Sequence, residues 1–214
     1  MSGGVEYNFC ALVIGPPQYG KTTVLRELVI EHLRTHPTGL ALVHDPNRQL
    51  RDVCAVYEDA AHWKRAFDDH LRSGKPFPRG ASIGGEADEI RNEAIALGKA
   101  RNTADNVRIP ILLGFDESSL LDSSGSTHMG KQDRALLSNR RHWGIGPIYN
   151  AQTVTGLDAG FFALATLVIV LSQTTERETE KLEQRIGVPP GATLGLVMAP
   201  PYRFIRWERG KGLT

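Results

Sequence analysis

Unbroken apolar runs alternate along this chain with stretches whose apolar residues recur at helical spacing. Phe9 to Ile14 is the first run, and it stops at Gly15-Pro16-Pro17. A strand exposed on one side would alternate, so an uninterrupted run predicts a strand buried on both faces. Lys21 to His36 then places Val24, Leu25, Leu28, Val29 and Leu33 on one helical stripe, closed by Pro37 and Gly39. The two patterns repeat. Leu40 to His44 predicts a second strand, stopped by Asp45-Pro46, and Ala60 to Arg72 and Glu86 to Arg101 predict helices. Ile109 to Phe115, Pro147 to Ala151 and Leu167 to Leu171 predict three further buried strands, with a helix over Lys131 to Trp143. A charged helix, Glu176 to Ile186, ends at Gly187 and Pro189, and Leu194 to Met198 with Arg203 to Trp207 predict a terminal hairpin. Two stretches carry neither pattern. "SGKPFPRGASIGG", from Ser73 to Gly85, predicts a loop or short linker, and the Ser/Gly-rich "SSLLDSSGSTHMG", 118–130, a loop. Strands alternating with helices imply an α/β fold with a mainly parallel central sheet flanked by helices and a C-terminal β-hairpin. No boundary interrupts the chain, so 1–214 is expected to be one domain, with its core at about 8–175 and a C-terminal helix and hairpin over 176–214.

Composition narrows the function classes. The chain has 214 residues, 41% hydrophobic and 23% charged, with a net charge of +1. That is enough for a substantial core and gives no global attraction to nucleic acid or membrane, so any DNA contact must come from local patches or from an assembly that concentrates them. Cys10 and Cys54 are too few for a disulfide framework and lack metal-ligand spacing, which suits a reducing compartment. "MSGGVEYN" lacks the pattern of a signal peptide, and the apolar run Phe161 to Leu171 is too short to span a bilayer.

The loop after the first strand carries the chemistry. Gly15 to Thr22 reads G-x-x-x-x-G-K-T. A polyphosphate tail needs a concave nest of backbone N–H groups and the positive end of a helix. Gly15 and Gly20 let the backbone approach phosphate oxygens, and Pro16 and Pro17 stiffen the loop without donating, so the amides from Gln18 and Tyr19 onward do the cradling. Lys21 reaches the β- and γ-phosphates, the Thr22 hydroxyl can take a Mg²⁺ coordination site, and Thr23 is placed for the α-phosphate. The strand before and the helix after are the context this signature requires.

Three further positions fit the same chemistry. Asp116, after the third long strand, can hold Mg²⁺, and Glu117 can orient or deprotonate an attacking water. An acidic pair at a strand end can also cap the next segment. Gln152, after Pro147 to Ala151, can contact the attacking water or the γ-phosphate, or simply brace a turn. Arg140 and Arg141 fall at a helix end, where cations offset the helix dipole; they are equally placed as an arginine finger for a neighbouring subunit, with Arg177 and Arg185 in reserve.

The order Gly15–Thr22, Asp45-Pro46, Asp116-Glu117, an arginine before the next strand and Gln152 closing it resembles the HerA–FtsK superfamily of DNA-pumping ATPases. The likeness runs from about Val13 to Ser172, and the small size is similar to the genome-packaging ATPases of tailless, membrane-containing double-stranded-DNA viruses. Asn47 departs from the lysine frequent at that position in relatives. The resemblance implies a RecA-like (ASCE) P-loop NTPase fold, ATP and Mg²⁺ as ligands, and a homo-oligomeric ring, a hexamer, with nucleotide between subunits. It also implies double-stranded DNA as partner, with loops 74–85 and 118–130 facing the pore, and a location in the host cytoplasm or at the packaging vertex, docked on a capsid or membrane protein. An assembly or secretion ATPase acting on protein substrates shares Lys21, Asp116 and Glu117. A P-loop kinase would want an Arg-rich lid and an acceptor site, neither of which the sequence displays.

Overall fold

The structure is a computed structural model that describes residues 7–103, 106–115, 129–173, 175–197, 199–200 and 203–214. Its elements in chain order are β1 (Ala11–Ile14), α1 (Lys21–Thr35), β2 (Leu40–His44), β3 (Ala55–Tyr57), α2 (Ala60–Ser73), β4 (Gly80–Ile83) and α3 (Ala87–Arg101). There follow β5 (Asn102–Thr103), β6 (Asn106–Val107), β7 (Ile111–Phe115), α4 (Lys131–Trp143), β8 (Ile145–Ala151), α5 (Ala159–Leu164) and β9 (Leu167–Leu171). The chain closes with α6 (Glu176–Ile186), a 3₁₀ turn (Leu194–Leu196), β10 (Phe204–Glu208) and β11 (Gly212–Leu213).

Nine strands form one sheet in the order β11-β10-β9-β1-β8-β7-β2-β4-β3. From β9 to β3 every neighbour is parallel; β10 runs antiparallel to β9, and β11 to β10. β1, β2, β7, β8 and β9 are buried along their whole length, which is why their sequences do not alternate. One face packs Leu12, Ile14, Leu113 and Tyr149 against side chains of α2 to α6. The other packs Ala11, Val13, Leu112 and Ile169 against Leu25 and Val29 of α1 and against Leu50 and Cys54.

Several expectations need correcting. Gly80–Ile83, read as part of a linker and of a pore-facing loop, is strand β4, fully buried between β2 and β3. Its small residues hide the pattern: Ser82 has no exposed surface and donates to Asp45 (2.9 Å). Arg79, inside the loop expected to face the pore, caps α1, donating to the carbonyls of Leu33, His36 and Pro37. The terminal hairpin exists, but its strands are β10 and β11. Leu194–Leu196 is a 3₁₀ turn because Glu183 accepts from the Thr193 amide and hydroxyl, both at 2.8 Å, and from the Gly191 amide at 2.9 Å, which bends the chain there. β8 also starts two residues earlier than expected. The ladder to β1 begins only at Ile148, so the absent N–H of Pro147 leaves that ladder whole.

Candidate nucleotide-binding site

β1 delivers the chain to the carboxyl edge of the sheet, where Gly15 donates its N–H to the Ala151 carbonyl at the end of β8 (3.0 Å). A methyl group on Gly15 would lie 2.8 Å from Leu171 Cβ, so the close approach of this loop to β9 requires glycine. The backbone then turns through positive φ at Gln18 (66°) and at Gly20 (103°). A non-glycine residue in that region is strained, and such strain concentrates in ligand-binding loops.

Gly20 caps α1 without a side-chain hydrogen bond, and no acidic residue occupies the first turn. The first helical bond runs from Val24 N to Gly20 O (3.0 Å), so the amides of Lys21, Thr22 and Thr23 have no acceptor within the helix. The positive end of the helix dipole coincides with these amides. Lys21 is only 4% exposed, and its Nζ donates to the Gly15 carbonyl (2.7 Å) and the Pro16 carbonyl (2.9 Å), folding over the loop it serves. A buried cation, an uncapped helix start and two positive-φ residues form an anion nest. Thr22 is half-buried beside it and Thr23 is exposed. This geometry fits an anion such as a polyphosphate.

The register brings three other strand ends to the same edge. Ile14 pairs with Ala151, Tyr149 with Phe115, and Phe115 with His44. Gln152 follows Ala151 directly and is exposed, so β1 and β8 bring it and the P-loop together. Asp116 and Glu117 lie outside the described residues; β7, the strand before them, ends at Phe115 on this edge, separated from β1 by β8 alone. Asp45, part of the motif order above, has a structural duty. Its carboxylate accepts from the amides of Gln49 (2.9 Å) and Leu50 (2.8 Å) as well as from Ser82.

Sequence reading missed two buried clusters around this edge. The Arg91 guanidinium of α3 lies 5.1 Å from the Phe115 ring centre and 3.3 Å from the Asp133 carboxylate, to which the Tyr149 hydroxyl donates (3.1 Å). Burial pushes the Asp133 carboxyl above the usual range, and Arg91 works against that shift. The second is Glu178 of α6, which accepts from the amides of Val154 (2.5 Å) and Thr155 (3.0 Å) and from the Thr155 hydroxyl. Contacts of this kind join residues far apart in sequence and leave no local spacing to read.

The arginines stand elsewhere. α4 ends at Trp143, directly before β8, so Arg140 and Arg141 lie at the amino edge of the sheet, away from their own P-loop. Arg140 is half-buried with its Nη1 on the Leu137 carbonyl (2.6 Å). Desolvation, with Arg141 and Arg209 nearby, holds its pKa below the usual arginine range. Arg141 is exposed. Of the reserve candidates, Arg185 lies over the Phe162 ring (5.8 Å) and Arg177 is exposed.

β8 stands between the P-loop strand β1 and β7, with β9 beyond β1. That order and the P-loop define a RecA-like, added-strand P-loop NTPase fold. Solved structures share it. The genome packaging NTPase B204 from Sulfolobus turreted icosahedral virus 2, in complex with AMPPCP, superposes with a TM-score of 0.72 at 15% identity, over 97% of this chain and 96% of that one. VirB4 of Thermoanaerobacter pseudethanolicus gives 0.62 at 11% identity, over 96% and 88%. EccC of Thermomonospora curvata, in complex with a signal sequence peptide, gives 0.59 at 17%, over 96% of this chain and 36% of that one. At these identities the likeness is one of fold, and it meets the HerA–FtsK resemblance at that level. No family profile and no curated protein matches the chain.

Proposed function

We propose that this protein is an ATP-hydrolysing translocase that packages double-stranded viral DNA into a preformed capsid. The observation that carries the reading is the end-to-end superposition on a viral genome packaging NTPase, 97% of one chain on 96% of the other. The match to the secretion protein EccC takes up only 36% of that chain. The whole of 1–214 acts as one ATPase domain.

ATP is the substrate. Its phosphates fit the amides from Gln18 to Thr23, with Lys21 as the neutralising cation. Thr22 and Asp116 are the residues that would hold Mg²⁺, which supplies positive charge against the phosphate oxygens. Glu117 orients the attacking water and takes its proton. Gln152 sits at the end of β8, one hydrogen-bonded rung from Gly15, and reads the γ-phosphate or the water. Arg141, exposed where Arg140 is half-buried, serves a neighbour's nucleotide in a ring, a hexamer, through which DNA passes. That assembly works in the host cytoplasm or at the packaging vertex, against a capsid or membrane protein. Among the described residues no helix is long and apolar enough to cross a membrane.

A second reading rests on the VirB4 superposition, which covers 88% of that chain: an assembly or secretion ATPase with a protein substrate. ATPase rate against protein concentration, with and without duplex DNA, separates the two. Packaging predicts a rate that rises with concentration and is stimulated several-fold by DNA, and Lys21→Ala abolishes it. A rate indifferent to DNA favours the second reading.

A further inference from the structure

Glu178 is a buried carboxylate in the first turn of α6, 7% exposed. Removing a carboxylate from water is costly unless donors replace the water. Here the donors are the amides of Val154 and Thr155 and the Thr155 hydroxyl. All three belong to the loop between β8 and α5, and they lie two and three residues after Gln152. The loop's other anchors are Val154 and Leu157, both buried in the core. Gln152 itself is exposed, so the clamp behind it limits where it can point.

The same helix is fixed to the strand that touches the P-loop. Beyond β9, Gln173 donates its amide to the Leu196 carbonyl (2.9 Å), and the Ser172 hydroxyl donates to the carbonyls of Leu196 (3.1 Å) and Ala199 (2.7 Å). Leu196 belongs to the segment that Glu183 of α6 holds through Thr193 and Gly191. Leu171, the last residue of β9, is the side chain against which Gly15 packs. The P-loop, the loop after β8 and α6 thus meet at one edge, and Glu178 is the bond between the last two.

We propose that Glu178 is a positioning residue for hydrolysis: it clamps the loop after β8, holds Gln152 at the phosphate edge, and makes the pose of Gln152 depend on α6. This rests on the ATPase reading above and on the role given there to Gln152. A purely structural Glu178 would affect stability and leave turnover per folded molecule unchanged.

The test combines Glu178→Ala, Glu178→Gln, Gln152→Ala and the Glu178→Ala/Gln152→Ala double variant, with Glu180→Ala, an exposed carboxylate two residues along α6, as control. For each, kcat, the Kd of an ATP analogue and the melting temperature are measured. A small misplacement of a positioned group can cost on the order of 10- to 100-fold in rate, so Glu178→Ala should slow kcat by that much and leave the analogue Kd within about twofold. Glu178→Gln keeps an acceptor for the two amides and should recover part of the rate. In the Gln152→Ala background, loss of Glu178 should cost nothing further, because residues acting through one another are non-additive. Unchanged kcat in a folded Glu178→Ala protein, or full additivity in the double variant, would overturn the proposal. An arm independent of turnover follows amide hydrogen exchange at Val154 and Thr155 with and without AMPPCP. The nucleotide should alter protection there in the wild type and not in Glu178→Ala; equal responses overturn the proposal. If the wild type hydrolyses no ATP, the functional reading fails, and the exchange arm still decides the role of Glu178.

Discussion

At the scale of single residues, the proposed phosphate edge depends on Gly15 as much as on Lys21. The lysine supplies charge, but the loop leaves the sheet where it does because nothing larger than hydrogen fits between it and Leu171, whose Cβ lies 2.8 Å from the place a methyl would take. Gly15→Ala must push the loop or β9 aside. Overpacking of this kind costs roughly 1–3 kcal/mol, so a lower melting temperature and weaker binding of a fluorescent ATP analogue are expected. Trimming the opposing side chain, as Gly15→Ala/Leu171→Ala, should restore part of the binding, since the two changes share one contact. Restored affinity would locate the defect in packing and not in the amides of the nest. Asp45 teaches the reverse lesson. It belongs to the motif order, and its carboxylate is occupied by two amides and the Ser82 hydroxyl.

At the scale of elements, the amino edge of the sheet is organised by one side chain. Asn102 donates to the carbonyls of Ile109 (2.9 Å) and Trp143 (2.7 Å) and accepts from the amides of Arg108 and Ile109, both at 2.9 Å. It joins the end of α3, the approach to β7 and the end of α4. Asn102→Ala strands buried backbone groups, each worth about 1–3 kcal/mol, and is expected to destabilise the fold by roughly 3 kcal/mol in urea denaturation. Nucleotide affinity of the folded fraction should be unchanged, because the proposed site lies at the opposite edge. The elements legible in the sequence were those whose own residues carry the periodicity. β1, β7 and β9 are apolar throughout, β2 is apolar up to its last residue, His44, and α1 and α6 end near Gly39 and at Gly187 respectively. β3 is three residues long and β4 is Gly-Ala-Ser-Ile, so burial in a sheet had no apolar run to announce it. Leu194–Leu196 looked like a strand until Glu183 bent it. For the site the division is similar. The P-loop could be read because its function is written in backbone chemistry at fixed spacing. The pairs Arg91–Asp133 and Glu178–Thr155 could not, because each joins residues brought together only by the fold.

At the scale of the whole molecule, the groups proposed for hydrolysis lie at opposite edges of one sheet. Arg141 precedes β8 and Gln152 follows it, and a strand of this length spans about 20 Å at roughly 3.3 Å per residue. If Arg141 acts in hydrolysis as proposed, it would serve a nucleotide held by another copy. Mixing Arg141→Ala with Lys21→Ala subunits tests this: each is inactive alone, and heteromeric contacts pairing an intact P-loop with an intact Arg141 should recover measurable ATPase activity. No recovery at any ratio would rule out a shared site. β8 is also buried along its entire length, paired with β7 over Ile145 to Tyr149 and with β1 over Ile148 to Ala151, and a rod so held does not stretch. In the proposed ring, where the amino end would border the next protomer's pocket, a shift of the Gln152 end as one pocket empties would be carried to that end. Firing order around a ring would then be set by the stiffness of a single strand, with no separate timing element required.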